Sequence, residues 1–228
     1  MSLWSVFARR ALKNIFPSNE VSNAKRIIPM LLEQVAVLDD PALIREAISE
    51  LSKTETKELA REVLRKRTDE AVEVLRACDS CRELLAGGGY DPIELLETLK
   101  NSIGKKSAPM DIDASGRGGS QMGQGYETRI RFGPLDFLAG TSLDGMTVRE
   151  SQIQVILHEL AHAAGDVIPP DGGNPAESLR NQRRITRACL PETYERIRSQ
   201  KSVDRSQNKN ISERMEQGRH QRKRNTHT

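Results

Sequence analysis

The sequence is poor in aromatic residues: Phe, Trp and Tyr together make up 4% of its 228 residues. A large β-sandwich or barrel draws on aromatic and β-branched side chains, so this scarcity argues against one. No apolar run approaches the ~20 residues that span a bilayer, which argues against a transmembrane helix. Cysteine occurs three times, an odd number and too few for a disulfide scaffold. The apolar share without glycine is 36%. That is enough for a packed core over part of the chain but not along all of it. No secretory apolar segment opens the chain, so we expect a cytoplasmic protein or one exported as an effector by a non-classical route. Residues 1–16 instead set Leu3, Trp4, Phe7, Ile15 and Phe16 among Arg9, Arg10 and Lys13. That pattern suits either a first helix packed on the domain or a basic amphipathic helix at a membrane surface.

Acidic charge is scarce in one place only. The net charge is +3, but residues 192–228 hold ten Lys/Arg against five Asp/Glu, while the rest of the chain holds 25 against 27. The near-neutral body offers no electrostatic case for nucleic acid. The basic tail keeps a weak one, with Tyr194 as its single aromatic for base stacking.

What is present is mostly helix. Asp40-Pro41 and Asp91-Pro92 each read as an N-cap followed by proline at the first helical position. Leu43, Ile44, Ala47, Ile48 and Leu51 follow the first at helical spacing, and Ile93, Leu96, Leu99 and Ile103 follow the second. Between them a long helical stretch runs from about Thr54 to Ala86, with a candidate break at Arg65–Asp69, and Gly87-Gly88-Gly89 ends it. Residues 104–126 carry six glycines and no apolar periodicity, so they read as a linker or a flap. Ile130 and Phe132 alternate with Arg129 and Arg131, the pattern of a half-buried strand over 127–132. Lys201–Thr228 reads as disordered. The expected division is an N-terminal helical region, 1–70; a catalytic domain, 71–191; and a basic tail, 192–228.

The chemistry lies in His158-Glu159-Leu160-Ala161-His162, the pattern H-E-x-x-H. Two of the chain's four histidines stand here. Four residues apart on a helix, both imidazoles can reach one metal ion. Glu159, about 100° around the helix from His158, is offset from the ligand face and suited to hold a metal-bound water and take its proton. Thr147 and Glu150 form a capping box that starts this helix, and Gly165 stops it. Ile153, Ile156, Leu160 and Ala164 cluster on the side opposite His158, which predicts one face packed inward and the histidines on a separate cleft. Zinc wants a third protein ligand and one open position. The downstream candidates are Asp166, Asp171 and Glu177. Asp171 follows Pro169 and Pro170 and precedes Gly172 and Gly173, in a turn able to swing a carboxylate over the helix end, and it is our choice. Cys78 and Cys81, spaced C-x-x-C, make half of a zinc site with no partner pair.

Residues 78–189 resemble the zincin-type metallopeptidase domains at the ends of bacterial RHS/YD-repeat proteins. The resemblance rests on Cys81-Arg82-Glu83-Leu84-Leu85, the strand at Ile130–Phe132, the helix His158–Gly165, Ile168-Pro169-Pro170-Asp171-Gly172-Gly173, and Ser178-x-x-Asn181 followed by Cys189. It implies His158 and His162 as ligands, Glu159 as the catalytic base, and an approach of Cys81 to Cys189. The metzincin position for a third histidine holds Ile168. Glu177 would be the gluzincin-like ligand, and Asp171 is similar in spacing to the third ligand of aspzincins, whose G-T-x-x-D run is missing here.

The fold expected is α+β and mostly helical: a zincin-like catalytic domain with a small sheet and an active-site helix, preceded by N-terminal helices. The function expected is zinc-dependent hydrolysis of a peptide or protein substrate. Strand 127–132 would be the sheet edge that receives substrate backbone. Tyr126, Arg129, Arg131 and Tyr194 are candidates to stabilise the oxyanion. The rival is a non-catalytic helical interaction module with a basic, nucleic-acid-binding tail.

Overall fold

The computed structural model describes residues 39–49, 51–113, 119–140, 145–165 and 167–202. The amphipathic pattern of residues 1–16, Asp166 and the tail beyond residue 202 lie outside them. Among the described residues no helix is long and apolar enough to cross a membrane.

The fold is α+β and mostly helical. In chain order the elements are α1 (Pro41–Ile48), α2 (Lys53–Ala77), α3 (Asp79–Leu85), α4 (Pro92–Lys100), β1 (Met110–Ile112), β2 (Gly119–Met122), β3 (Arg129–Phe132), α5 (Pro134–Ala139), α6 (Val148–Ala163) and α7 (Pro175–Cys189). Residues 191–202 are helical as well. Local chemistry sets the helix starts. Asp40 Oδ1 accepts from the Ala42 and Leu43 amides at 2.8 and 3.4 Å, and Asp91 Oδ1 does the same for Ile93 and Glu94 at 2.8 and 2.9 Å. Ser52 and Glu55 close a capping box at the head of α2.

α2 is the central strut. It packs against α4, α5 and α6, and one hydrophobic cluster runs from Ile44 through Leu64 and Leu95 to Ile156 and Cys189. The expected division at 70/71 therefore falls inside a single helix and a single core. The expected break at Arg65–Asp69 is also absent. Arg65 pairs with Glu62 and Arg67 with Glu70, each three residues away, so that charged patch is internally neutralised on a continuous helix.

The sheet has three strands in the order β1-β3-β2, with β1 parallel and β2 antiparallel to β3. Ile130 and Phe132 are buried in alternation with Arg129 and Arg131, as their spacing predicts. Two expectations change here. The stretch read as a linker or flap, 104–126, contains β1 and β2. And β3 is the middle strand, so the edges are β1 and β2. The short segments Met110–Ile112 and Gly119–Met122 carry too little periodicity to announce themselves, and pairing with β3 supplies what local pattern does not.

Cys81 and Cys189 form a disulfide that joins α3 to α7 across a sequence separation of 108. This removes Cys81 from the C-x-x-C half-site. Cys78 is free and half-buried, its Sγ 3.2 Å from the Ala188 carbonyl. The tail expected from residue 192 begins as ordered helix. Thr193 Oγ1 donates to Glu150 at 2.6 Å, and Arg196 pairs with the same carboxylate. These contacts tie 191–202 to the head of α6.

Candidate metal centre

α6 is capped twice. Thr147 Oγ1 accepts from the Glu150 amide at 3.1 Å while Glu150 Oε2 accepts from the Thr147 amide at 2.8 Å. Asp39 Oδ1 takes the Val148 amide at 2.6 Å. The helix then runs through the core and is buried on every side: Leu157, Leu160 and Ala161 are fully buried, and so are Gln152 and Gln154. The single inward face expected from the apolar spacing is thus one of several. His158 and Glu159 are 4% and 6% exposed, so the site is set into the protein and not on its surface.

Gly165, at φ 81°, ends the helix in the left-handed conformation that favours glycine. At the same end the short turn Ala86–Gly88 sits directly on the helix. A Cβ on Gly88 would lie 1.6 Å from the Ala164 carbonyl oxygen, so only glycine permits this approach. Beyond Gly165, Val167 and Ile168 are buried and anchor the chain. Pro169 and Pro170 fix φ through the turn. Asn181, from α7, donates Nδ2 to the Pro169 carbonyl at 2.8 Å and to Asp171 Oδ1 at 2.7 Å.

This brings three donors together. His158 Nε2 lies 3.1 Å from Asp171 Oδ2, His162 Nε2 lies 3.6 Å from Asp171 Oδ1, and the two Nε2 atoms are 3.2 Å apart. The ligand atoms of His158, His162 and Asp171 all fall within 4.8 Å of one another, a group able to hold a metal ion. Donors on a tetrahedral ion with bonds of about 2.1 Å stand roughly 3.4 Å apart, which is the spacing already present. Two imidazoles and one carboxylate are also a donor set that suits zinc. Glu177 instead pairs with Arg180.

The electrostatics follow from burial. Desolvation lowers the pKa of both histidines against the opposing pull of Asp171, and His162 is lowered further by His158. Neutral imidazole is the form that ligates. Burial works to raise Asp171, but hydrogen bonds from Asn181 and Ser178 and the neighbouring His158 outweigh it and hold the carboxyl below its ordinary value. Glu159 goes the other way. Burial, and then repulsion from Asp171, push its pKa up to about 8. With no cation beside them the two carboxyls are thereby set apart, Asp171 ionised and Glu159 holding its proton.

In the tautomer that presents Nε2 of His158 to an ion, the proton sits on Nδ1, which is buried and has no hydrogen-bond partner among the described residues. The amide nitrogen of Gln154, one turn earlier on the same helix, likewise has no partner among the described residues.

Arg131 is occupied elsewhere: its guanidinium donates to the carbonyls of Ala108, Pro109 and Ile130 and braces β1 against β3. Tyr126 stands half-exposed with its ring edge-on to Tyr90, centroids 6.0 Å apart. Among the described residues no hydrogen bond joins Tyr126, Arg129, Arg131 or Tyr194 to the site. Ser178 and Asn181, which the H-E-x-x-H pattern does not include, hydrogen-bond to Asp171. Their signal is a pair of polar residues one turn apart, at the start of the helix that follows the Asp171 loop. No family model, no curated protein and no solved structure matches the chain.

Proposed function

We propose that the protein is a zinc-dependent peptidase of the zincin type. The observation that carries this reading is the convergence of His158, His162 and Asp171 around one point, with Glu159 beside them on the same helix. Zinc held by the two Nε2 atoms and the Asp171 carboxylate would supply a Lewis acid that polarises a carbonyl and lowers the pKa of water to about 7. The chain's own groups do the rest. Glu159 takes a proton on its carboxylate from the attacking water and returns it to the departing amine nitrogen. A cation at the site would favour the charged form of Glu159, the form that takes this proton, while without one burial keeps the carboxyl protonated. Asn181 orients Asp171, the part that outer partners play for ligating carboxylates. The substrate backbone would pair with β2, an edge strand that packs against α6.

Elemental analysis of purified protein tests the reading. One zinc per chain is expected, lost on His158→Ala, His162→Ala or Asp171→Ala, together with hydrolysis of a quenched peptide library. Folded variants that keep their zinc would end it. The rival interaction module needs no stoichiometric metal, so the same assay separates the two.

A further inference from the structure

The near-neutral charge of the body conceals an uneven placement. α7 begins beside the ligand loop and buries Asn181, Ile185, Thr186 and Cys189. Its outer face exposes Arg180, Arg183, Arg184 and Arg187. These positions, at spacings of three, one and three, form one stripe on a helix.

Among the described residues most other helical arginines pair with an acid, many of them three residues away, as in Arg61–Glu58, Arg65–Glu62 and Arg76–Glu73, while Arg149 and Arg196 reach acids on other elements and Arg45 alone has none. On α7 only Arg180 has such a partner, Glu177. Arg183, Arg184 and Arg187 have no acidic partner among the described residues. Their neighbours at three and four residues include one another: 180–183, 180–184, 183–187 and 184–187 are all arginine pairs. Like charges at those spacings destabilise a helix. The arrangement therefore works against the fold's own stability and concentrates positive potential along about 10 Å of surface, at 1.5 Å of rise per residue.

We infer that the α7 face binds double-stranded nucleic acid through its phosphates. Guanidinium groups match phosphate oxygens in a two-pronged fashion, which lysines do not. The fully exposed positions of α7 carry no large apolar or aromatic side chain, and half-buried Leu179 at the edge of the stripe is its single large apolar neighbour. A protein partner would want such an anchor at the centre of the contact, and a membrane surface would want one to insert. Stacking on unpaired bases would want aromatic rings, and residues 175–202 hold only Tyr194, half-buried. What is left is contact with a phosphate backbone, which needs charge alone. The sequence that follows keeps the same sign, with seven Lys/Arg against three Asp/Glu over residues 203–228. This surface is separate from the metal centre and does not depend on the peptidase reading.

The test is binding of the full chain to a labelled random-sequence DNA duplex across a salt series, compared with the triple variant R183Q/R184Q/R187Q. Each phosphate contact contributes about 0.9 to the slope of log affinity against log salt. The variant should lose about 2.7 from that slope and bind roughly a hundredfold or more weaker at 0.1 M salt. Its melting temperature should not fall, since the substitutions relieve like-charge pairs on an exposed face. An unchanged slope overturns the assignment to α7. Tighter binding to phosphatidylserine vesicles, or to polyglutamate, than to the duplex overturns the choice of nucleic acid.

Discussion

Replacing Glu159 by Gln should stabilise the metal-free protein, and increasingly so as the pH rises. The carboxyl titrates near 4.5 in an unfolded chain and at about 8 in the folded one. Between those values the folded protein holds a proton that the unfolded chain has released, so stability falls as pH rises through that window and is fully present only below it. Each pH unit within the window costs about 1.4 kcal/mol, which amounts to about 3–4 kcal/mol between pH 5 and pH 8. Gln is the neutral isostere of the protonated acid and escapes this cost. For a chain of this size 1 kcal/mol moves the melting temperature by about 2–4 °C. The two proteins should melt within a few degrees of each other at pH 5, with the Gln variant about 10 °C higher at pH 8. The assay is thermal unfolding in a chelator at half-unit steps of pH. His158, His162 and Asp171 titrate in both proteins, so the difference between the curves isolates Glu159. Saturating zinc should flatten the wild-type dependence, because a cation beside the carboxyl favours its charged form. Parallel melting curves from pH 5 to pH 8 would refute the reasoning: Glu159 would then be solvated and poorly placed to hold a proton.

Glu159→Gln should also retain zinc while losing peptide hydrolysis, measured on one preparation by elemental analysis and fluorogenic turnover. Asn181→Ala should weaken metal affinity by roughly 10–100-fold without removing a ligand, read by competition with a chromogenic chelator. Gly88→Ala must displace backbone at Ala164 and should cost about 3 kcal/mol in chemical denaturation; a neutral result would show that the turn moves freely away from α6. Reducing the Cys81–Cys189 bridge should cost about 4–5 kcal/mol on the loop-closure account, seen as a lower melting temperature with phosphine reductant and unchanged in Cys81→Ser/Cys189→Ser protein.

Legibility in the sequence followed the range of the interactions. The capping box at Thr147, the two histidines and the stop at Gly165 lie within one helix, so spacing alone predicts their geometry. Asp171 was within reach because two prolines stiffen a short loop. Long-range contacts were not legible. β1 and β2 exist because β3 pairs with them, and neither segment advertises itself. The all-round burial of α6 is imposed by neighbours from distant parts of the chain, which apolar spacing on one helix does not report. Asn181 acquires its role only when α7 folds back beside the loop. The arginine stripe was hidden by averaging: a near-zero sum over the body carries no information about which face holds the charge.

The bridge between Cys81 and Cys189 also changes what a cut in the chain would do. It encloses β1 to β3, α6 and the ligand loop in a covalent ring. A single cleavage anywhere inside that ring leaves both pieces attached. It is invisible on a non-reducing gel and appears only after reduction. A cleavage beyond Cys189 has the opposite outcome. No covalent bond then joins the basic C-terminal segment to the rest, while His158, His162, Asp171 and the α7 arginines stay together on the other part.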